Sequence, residues 1–269
     1  MVQSDTSFIR YPGHMKSIDL KVLTLNIHKG FSAGQRRFTL ENIRNCLRDS
    51  KASVVFLQEV VGEHQLFARK IPGWPQGNQL EFLADSVWSH HAYGKNAIYQ
   101  HGHHGNAILS EVPFKSWHNL DVSLMTVSQR GILHGVTANN LHLLCVHFGL
   151  FEKERRLQVR KLIEYVVGNI PADAPMIIAG DFNDWRKTLH NRLVRELRLH
   201  DAHQKLNNKV ANTFPSFRPI LPMDRIYLRG FQVRSCSIMN SPEWRRISDH
   251  CAVMASLSLR AQHPSIAGS

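Results

Sequence analysis

Short apolar runs that stop abruptly at polar residues set the pattern of this chain. Val22 to Leu25 ends in Asn26, Val54 to Leu57 in Gln58-Glu59, and Leu141 to Val146 in His147. Met176 to Ala179 ends in Gly180-Asp181-Phe182-Asn183-Asp184, which delivers acids and an amide within a few residues. Runs of this length are too short for a membrane span and suit buried strands. The pattern therefore predicts four buried strands, each releasing a polar residue at one rim.

The segments between them carry other periods. Ile18 to Ile27 reads as a strand entering the core, and Thr39 is the expected N-cap of a helix over Leu40 to Asp49. Phe38 and Ile43 stand at hydrophobic-staple spacing, with Leu40, Ile43 and Leu47 on one face. That helix feeds the strand Ser53 to Leu57. The Ile132 to Thr137 and Leu141 to Val146 runs predict a hairpin. Glu152 to Ile170 predicts the clearest helix, with Val159, Leu162, Ile163, Val166, Val167 and Ile170 at helical spacing. Trp185 to Leu199 is expected to be a basic helix, Thr213 to Pro222 a proline-punctuated loop, and Cys251 to Leu259 a strand. Strands alternating with helices predict a layered α/β arrangement. With no repeat or linker evident, the expectation is an arm over 1–17, one domain over 18–260 and a tail over 261–269.

Composition adds bounds. The chain has 269 residues, 43% of them hydrophobic, and a formal charge of +12. A basic excess of this size favours polyanions, either nucleic acid or an anionic phospholipid headgroup, without choosing between them. Cys46, Cys145, Cys236 and Cys251 form no zinc-ligand spacing, so reduced thiols are expected. The first residues lack a charged head followed by an apolar stretch, and no window reaches transmembrane length; a cytoplasmic location is the expectation.

If the strand tips meet at one rim, Asn26, Glu59 and Asp249 offer oxygen ligands for Mg²⁺, with Mn²⁺ as a substitute. Asp181 and Asn183, two apart, suit positioning a water and donating to a phosphate oxygen. His147 and His250 suit stabilising phosphoryl charge, with Asp224 orienting an imidazole. In His101-Gly102-His103-His104-Gly105, the absence of a nearby cysteine and the oxygen-rich surroundings argue against zinc. His103 and His104, with Asn106 just beyond, are expected to contact phosphate or substrate. There is neither a GxxxxGK[ST] loop nor a GxSxG elbow, which disfavours P-loop and serine-esterase chemistry.

Leu25-Asn26, Leu57-Gln58-Glu59, Gly180-Asp181-Phe182-Asn183, Asp224-Arg225-Ile226 and Ser248-Asp249-His250 occur in this order over most of the chain. Together they resemble the endonuclease/exonuclease/phosphatase superfamily, closest in pattern to a bacterial subgroup. The resemblance implies a deoxyribonuclease I-like fold, a four-layer α/β/β/α sandwich, and a Mg²⁺-dependent phosphoesterase. It implies a metal at Asn26 and Glu59 with Asp249 nearby, water activation by Asp181, and phosphate contacts from Asn183 and His147. His250 would be the other catalytic histidine, oriented by Asp224. A nuclease is the implied activity, with a phospholipid or phosphoinositide phosphoesterase as the alternative. His103-His104 stand where apurinic/apyrimidinic endonucleases carry a tyrosine, which argues against abasic-site repair.

Overall fold

Two six-stranded sheets lie face to face in the computed structural model, which describes residues 19–125 and 128–259. The expected arm and tail lie outside the described residues. In chain order the strands are β1 (Asp19–Asn26), β2 (Val54–His64), β3 (His90–Tyr99), β4 (Gly102–Ser110), β5 (Phe114–Asp121) and β6 (Gly131–Thr137). They continue as β7 (His142–His147), β8 (Met176–Asp181), β9 (His200–Asp201), β10 (Asp224–Arg229), β11 (Phe231–Met239) and β12 (Ala252–Leu259). The helices are α1 (Leu40–Ser50), α2 (Gln65–Lys70), α3 (Gln79–Ala84), α4 (Glu152–Asn169), α5 (His190–Glu196), α6 (Ala202–Asn207) and α7 (Trp244–Ile247).

The first sheet has the order β11-β12-β1-β2-β4-β3 and the second β5-β6-β7-β8-β10-β9. Their inner faces share one core, with Val22, Phe56 and Val253 from the first meeting Leu143, Ile177 and Ile226 from the second. Alternation along each strand sends the other face outward to helices. Leu23, Leu25 and Val55 pack under α1 and α3, while Leu144, Val146 and Ile178 pack under α4 and α5. Helix, sheet, sheet and helix give the four layers of the deoxyribonuclease I-like sandwich.

Two parallel pairings position the site. β1 runs parallel to β2 with Asn26 opposite Gln58, and β7 runs parallel to β8 with His147 opposite Asp181. Antiparallel β10 begins at Asp224, also opposite Asp181. The polar ends of these strands thus converge on one rim.

Several elements differ from the sequence reading. β2 does not stop at Leu57; it passes Glu59 through a bulge and continues to His64. The histidine-rich 101–105 segment lies mostly within β4. Thr39 stands at the N-cap of α1, but its hydroxyl donates to the Ile247 carbonyl (2.7 Å) instead of capping the helix. Val167 is exposed, because the buried face of α4 is completed by Glu154, Arg155 and Gln158. Of the basic helix expected over Trp185 to Leu199, only α5 forms.

Candidate active site

Gly180 explains how Asp181 reaches the rim. Its φ of 146° lies in the region that favours glycine, and a Cβ there would sit 2.0 Å from the Val146 carbonyl oxygen. The backbone can therefore close against β7 and carry Asp181 beside His147. The Asp181 carboxylate then accepts from the Asn183 backbone N–H (2.9 Å) and from Asn26 Nδ2 (3.2 Å), which reaches across from the other sheet. The same Asn26 Nδ2 lies 3.3 Å from Glu59 Oε1. One amide thus joins the carboxylates of the two sheets.

Around Asp181 stand two histidines in opposite electrostatic situations. His147 Nε2 lies 3.5 Å and His250 Nε2 3.9 Å from Asp181 Oδ2. Burial, reinforced by Arg130, holds His147 well below the usual imidazole range, so it is neutral at pH 7. Burial acts on His250 in the same direction but is outweighed by the Asp224 and Asp181 carboxylates, which push it up to about 10. Its Nδ1 donates to Asp224 Oδ2 at 2.8 Å. Thr213 donates its hydroxyl to the same oxygen at 2.6 Å, fixing the carboxylate that fixes the ring. Asp181 is pushed up to about 6 by burial, with His250 opposing and Asp224 adding to the rise.

Glu59 sits on the bulge of β2 with φ 59°, a left-handed conformation that a non-glycine residue adopts at a cost. Burial would raise its carboxyl, but His147, Lys29, His104 and His28 outweigh burial and bring it down to about 2. Lys29 Nζ lies 3.8 Å away. Asp249 faces His28 Nδ1 at 3.6 Å.

The expected residues are therefore mostly gathered. Asn26, Glu59, His147, Asp181, Asn183, Asp224 and His250 form one linked group, and Asp249 joins its edge through Ser248, whose hydroxyl donates to the Asn26 carbonyl. His104 belongs beside Glu59, and burial pushes it down to about 4. His103 does not join the group; it packs over Gly62 and lines a separate groove of ≈ 780 Å³ with Trp74 and Tyr93. Asn106 is a second departure. It is fully buried, and its Nδ2 donates to the carbonyls of Gly131 (2.9 Å) and Cys145 (3.3 Å), so its amide braces the two sheets instead of facing a substrate. Asp184, which matches no family motif, caps the following turn by accepting from Thr188 and Leu189 backbone N–H groups.

Oxygen donors suit a hard divalent ion, and two carboxylates fit that role here: Glu59, held ionised by its neighbours, and the Asp249 carboxylate at the edge of the group. Asn26 fits less directly, since its Oδ1 accepts from the His28 N–H (3.0 Å) while its Nδ2 faces the acids. Ligand atoms of Asp181, Asp224 and His250 also lie within 4.8 Å of one another. Within that trio, however, His250 Nδ1 is hydrogen-bonded to Asp224 Oδ2 at 2.8 Å, which occupies one nitrogen and one carboxylate oxygen that a cation would need.

Residues 23–250 match the model of the Endonuclease/Exonuclease/phosphatase family. The chain belongs to this family. The Escherichia coli (strain K12) protein YbhP is 39% identical over 253 residues, spanning 92% of this chain and 100% of the relative. An endonuclease/exonuclease/phosphatase from Beutenbergia cavernae has a similar structure, with TM-score 0.74 at 21% identity over 90% of this chain and 72% of the other. D. rerio TDP2, solved with a single-strand DNA product, gives TM-score 0.64 at 18% identity over 89% and 99% of the two chains. Members of the endonuclease/exonuclease/phosphatase family are hydrolases of phosphoester bonds, and this chain is an enzyme of that class.

Sequence reading missed Lys29, Thr213 and the electrostatic influence of His104 on Glu59. The first follows Asn26 so closely that it could have been suspected; the other two depend on contacts between distant segments.

Proposed function

We propose that the protein is a Mg²⁺-dependent phosphodiesterase that cleaves its substrate by direct attack of water on phosphorus. The observation that carries this reading is the opposed pair at Asp181: a carboxylate made more basic by burial, beside an imidazolium held by Asp224 at 2.8 Å. Two titratable groups with divergent proton affinities in one site are suited to acid and base roles.

Asp181 takes a proton from the attacking water as its oxygen bonds to phosphorus. The bond from phosphorus to the leaving oxygen then breaks, the leaving oxygen keeps the bonding electron pair and is protonated by solvent water, and Asp181 returns its proton to solvent. His250, already cationic, stabilises the charge that accumulates on the phosphoryl oxygens, and Asp224 with Thr213 keeps its ring in line. His147, neutral, presents an N–H to the same region. Asn183 is held by the Phe148 carbonyl (2.9 Å) close to where a phosphate oxygen would lie. Glu59 and Asp249 would hold the metal, whose contribution when bound is to neutralise phosphate charge.

The net charge supports a polyanionic substrate. Nucleic acid is supported further by the likeness to TDP2, and an anionic lipid headgroup satisfies the same charge. Hydrolysis of bis(4-nitrophenyl) phosphate with Mg²⁺ tests the reaction without presuming the substrate. The wild-type protein should release nitrophenol, and Asp181→Ala should lower kcat by ~10²- to 10⁴-fold, the range for loss of a general base. Equal rates for the two proteins would refute the reading.

A further inference from the structure

Seven of the ten exposed large apolar side chains among the described residues stand at the catalytic rim, six on connections and Ile98 near the end of β3. Leu150 and Phe151 follow His147, Trp185 follows Asp181 by four positions, and Phe217 and Ile220 belong to the loop leading into Asp224. Ile98 and Leu124 lie on the other side of the rim. There the β3–β4 hairpin projects past Glu59, and Ile98 N–H donates to Gln129 Oε1 (2.6 Å) of the connection that carries Leu124. These seven are 40–69% exposed, an unusual concentration around one polar pit.

All of these apolar tips but that of Leu124 also carry exposed basic residues. Lys153 accompanies Phe151, Arg186 and Lys187 follow Trp185, Arg218 follows Phe217, and Lys95 precedes Ile98. Glu152, the acid beside Phe151, is engaged by Arg156 and Arg186. Apolar side chains ringed by cations match the boundary between lipid headgroups and acyl chains, where the former enter and the latter meet anionic phosphate. Aromatic rings alone would serve equally for stacking on nucleic-acid bases. Ile98, Leu150 and Ile220 have no π face, and their exposure around the pit gains nothing from a base.

We propose that this rim docks on an anionic lipid bilayer, which places the scissile phosphodiester in a membrane phospholipid headgroup. The substrate half of this inference rests on the phosphodiesterase reading; the docking half does not. A bilayer contacted at the rim brings headgroup phosphates to the mouth of the pit, while Asp181 and His250 stay below it.

The test is flotation of the full chain with vesicles of phosphatidylcholine containing phosphatidylglycerol, against pure phosphatidylcholine. The wild type should float with the anionic vesicles only, with a shift in Trp185 fluorescence absent from Trp185→Ser. Replacing Phe217→Ser and Ile220→Ser together, at an exposed loop, should lower the apparent partition by about tenfold or more while the unfolding midpoint stays in place. Failure of the wild type to float, or equal flotation by the double variant, overturns the proposal. So does binding of a single-stranded oligonucleotide that the double variant loses while vesicles are ignored, or a dimer that the same changes dissociate without any flotation. Hydrolysis of bis(4-nitrophenyl) phosphate by the wild type separates the two levels. Hydrolysis without flotation removes the lipid inference alone, and flotation without hydrolysis removes the phosphodiesterase reading while docking stands.

Discussion

Asp181 and His250 share one buried enclosure, and burial acts on both by disfavouring charge. Only His250 escapes it, because two carboxylates face the ring and Thr213 leaves Asp224 no freedom to turn away. The reaction requires deprotonated Asp181 and protonated His250. Activity on a small diester should therefore rise as pH passes about 6 and fall as it passes about 10. The same sign governs His250 in folding: its contribution is complete below the ordinary imidazole value of 6.5 and is lost as pH rises through about 10. Asp224→Asn removes the carboxylate that acts most on His250, so the alkaline limb should move down toward the ordinary imidazole range. A limb unmoved in a kcat/KM profile would detach His250 from it. Glu59 invites a separate test. Glu59→Gln keeps the shape but removes an ionised oxygen, and a Mg²⁺ titration should show the half-saturating concentration raised by ~10-fold or more; even loss of an outer-shell partner has that effect. An unchanged titration would place the ion elsewhere.

At the scale of elements, legibility followed how local the cause was. β8 and β7 were readable because an unbroken apolar run needs only its own side chains to mark a buried strand. β2 was read as ending at Leu57 because a polar pair normally ends such a run; the bulge that carries Glu59 and lets the strand resume at Val60 depends on pairing with β4. α4 shows the converse. Its existence was clear, but its face was rotated, since Arg155 and Gln158 turn inward to serve the loop after His147: Gln158 Oε1 accepts from the Gly149 N–H at 2.8 Å and Arg155 donates to the Gly149 carbonyl. Periodicity weighs Val167 above Gln158, and the loop's need for partners reverses them. Urea denaturation checks this directly. Leu162→Ala, at a fully buried position, should cost about 2–5 kcal/mol, whereas Val167→Ser, at an exposed one, should stay within about 0.5 kcal/mol. Comparable losses would restore the face read from sequence.

Across the whole molecule, neither sheet holds a complete site. Asn26 and Glu59 come from one and His147, Asp181 and Asp224 from the other, so the chemistry depends on the sandwich closing. That division was legible only as motifs in order; which amide would bridge the sheets was not, and both Asn26 and Asn106 do so. The charge is also a property of the whole. An excess of +12 spread over the chain acts at long range and is screened by salt, while the buried contacts at Asp181 are not. A polyanionic surface, whether bilayer or nucleic acid, gathers this attraction over many phosphates; a small diester presents one charge. Raising salt from about 50 to about 200 mM should therefore lower kcat/KM on the polyanionic substrate by about tenfold or more through KM, leaving kcat in place. The rate on bis(4-nitrophenyl) phosphate should change little over the same range. Parallel losses on both substrates would mean that salt acts within the pit, and the basic surface would then have no part in capture.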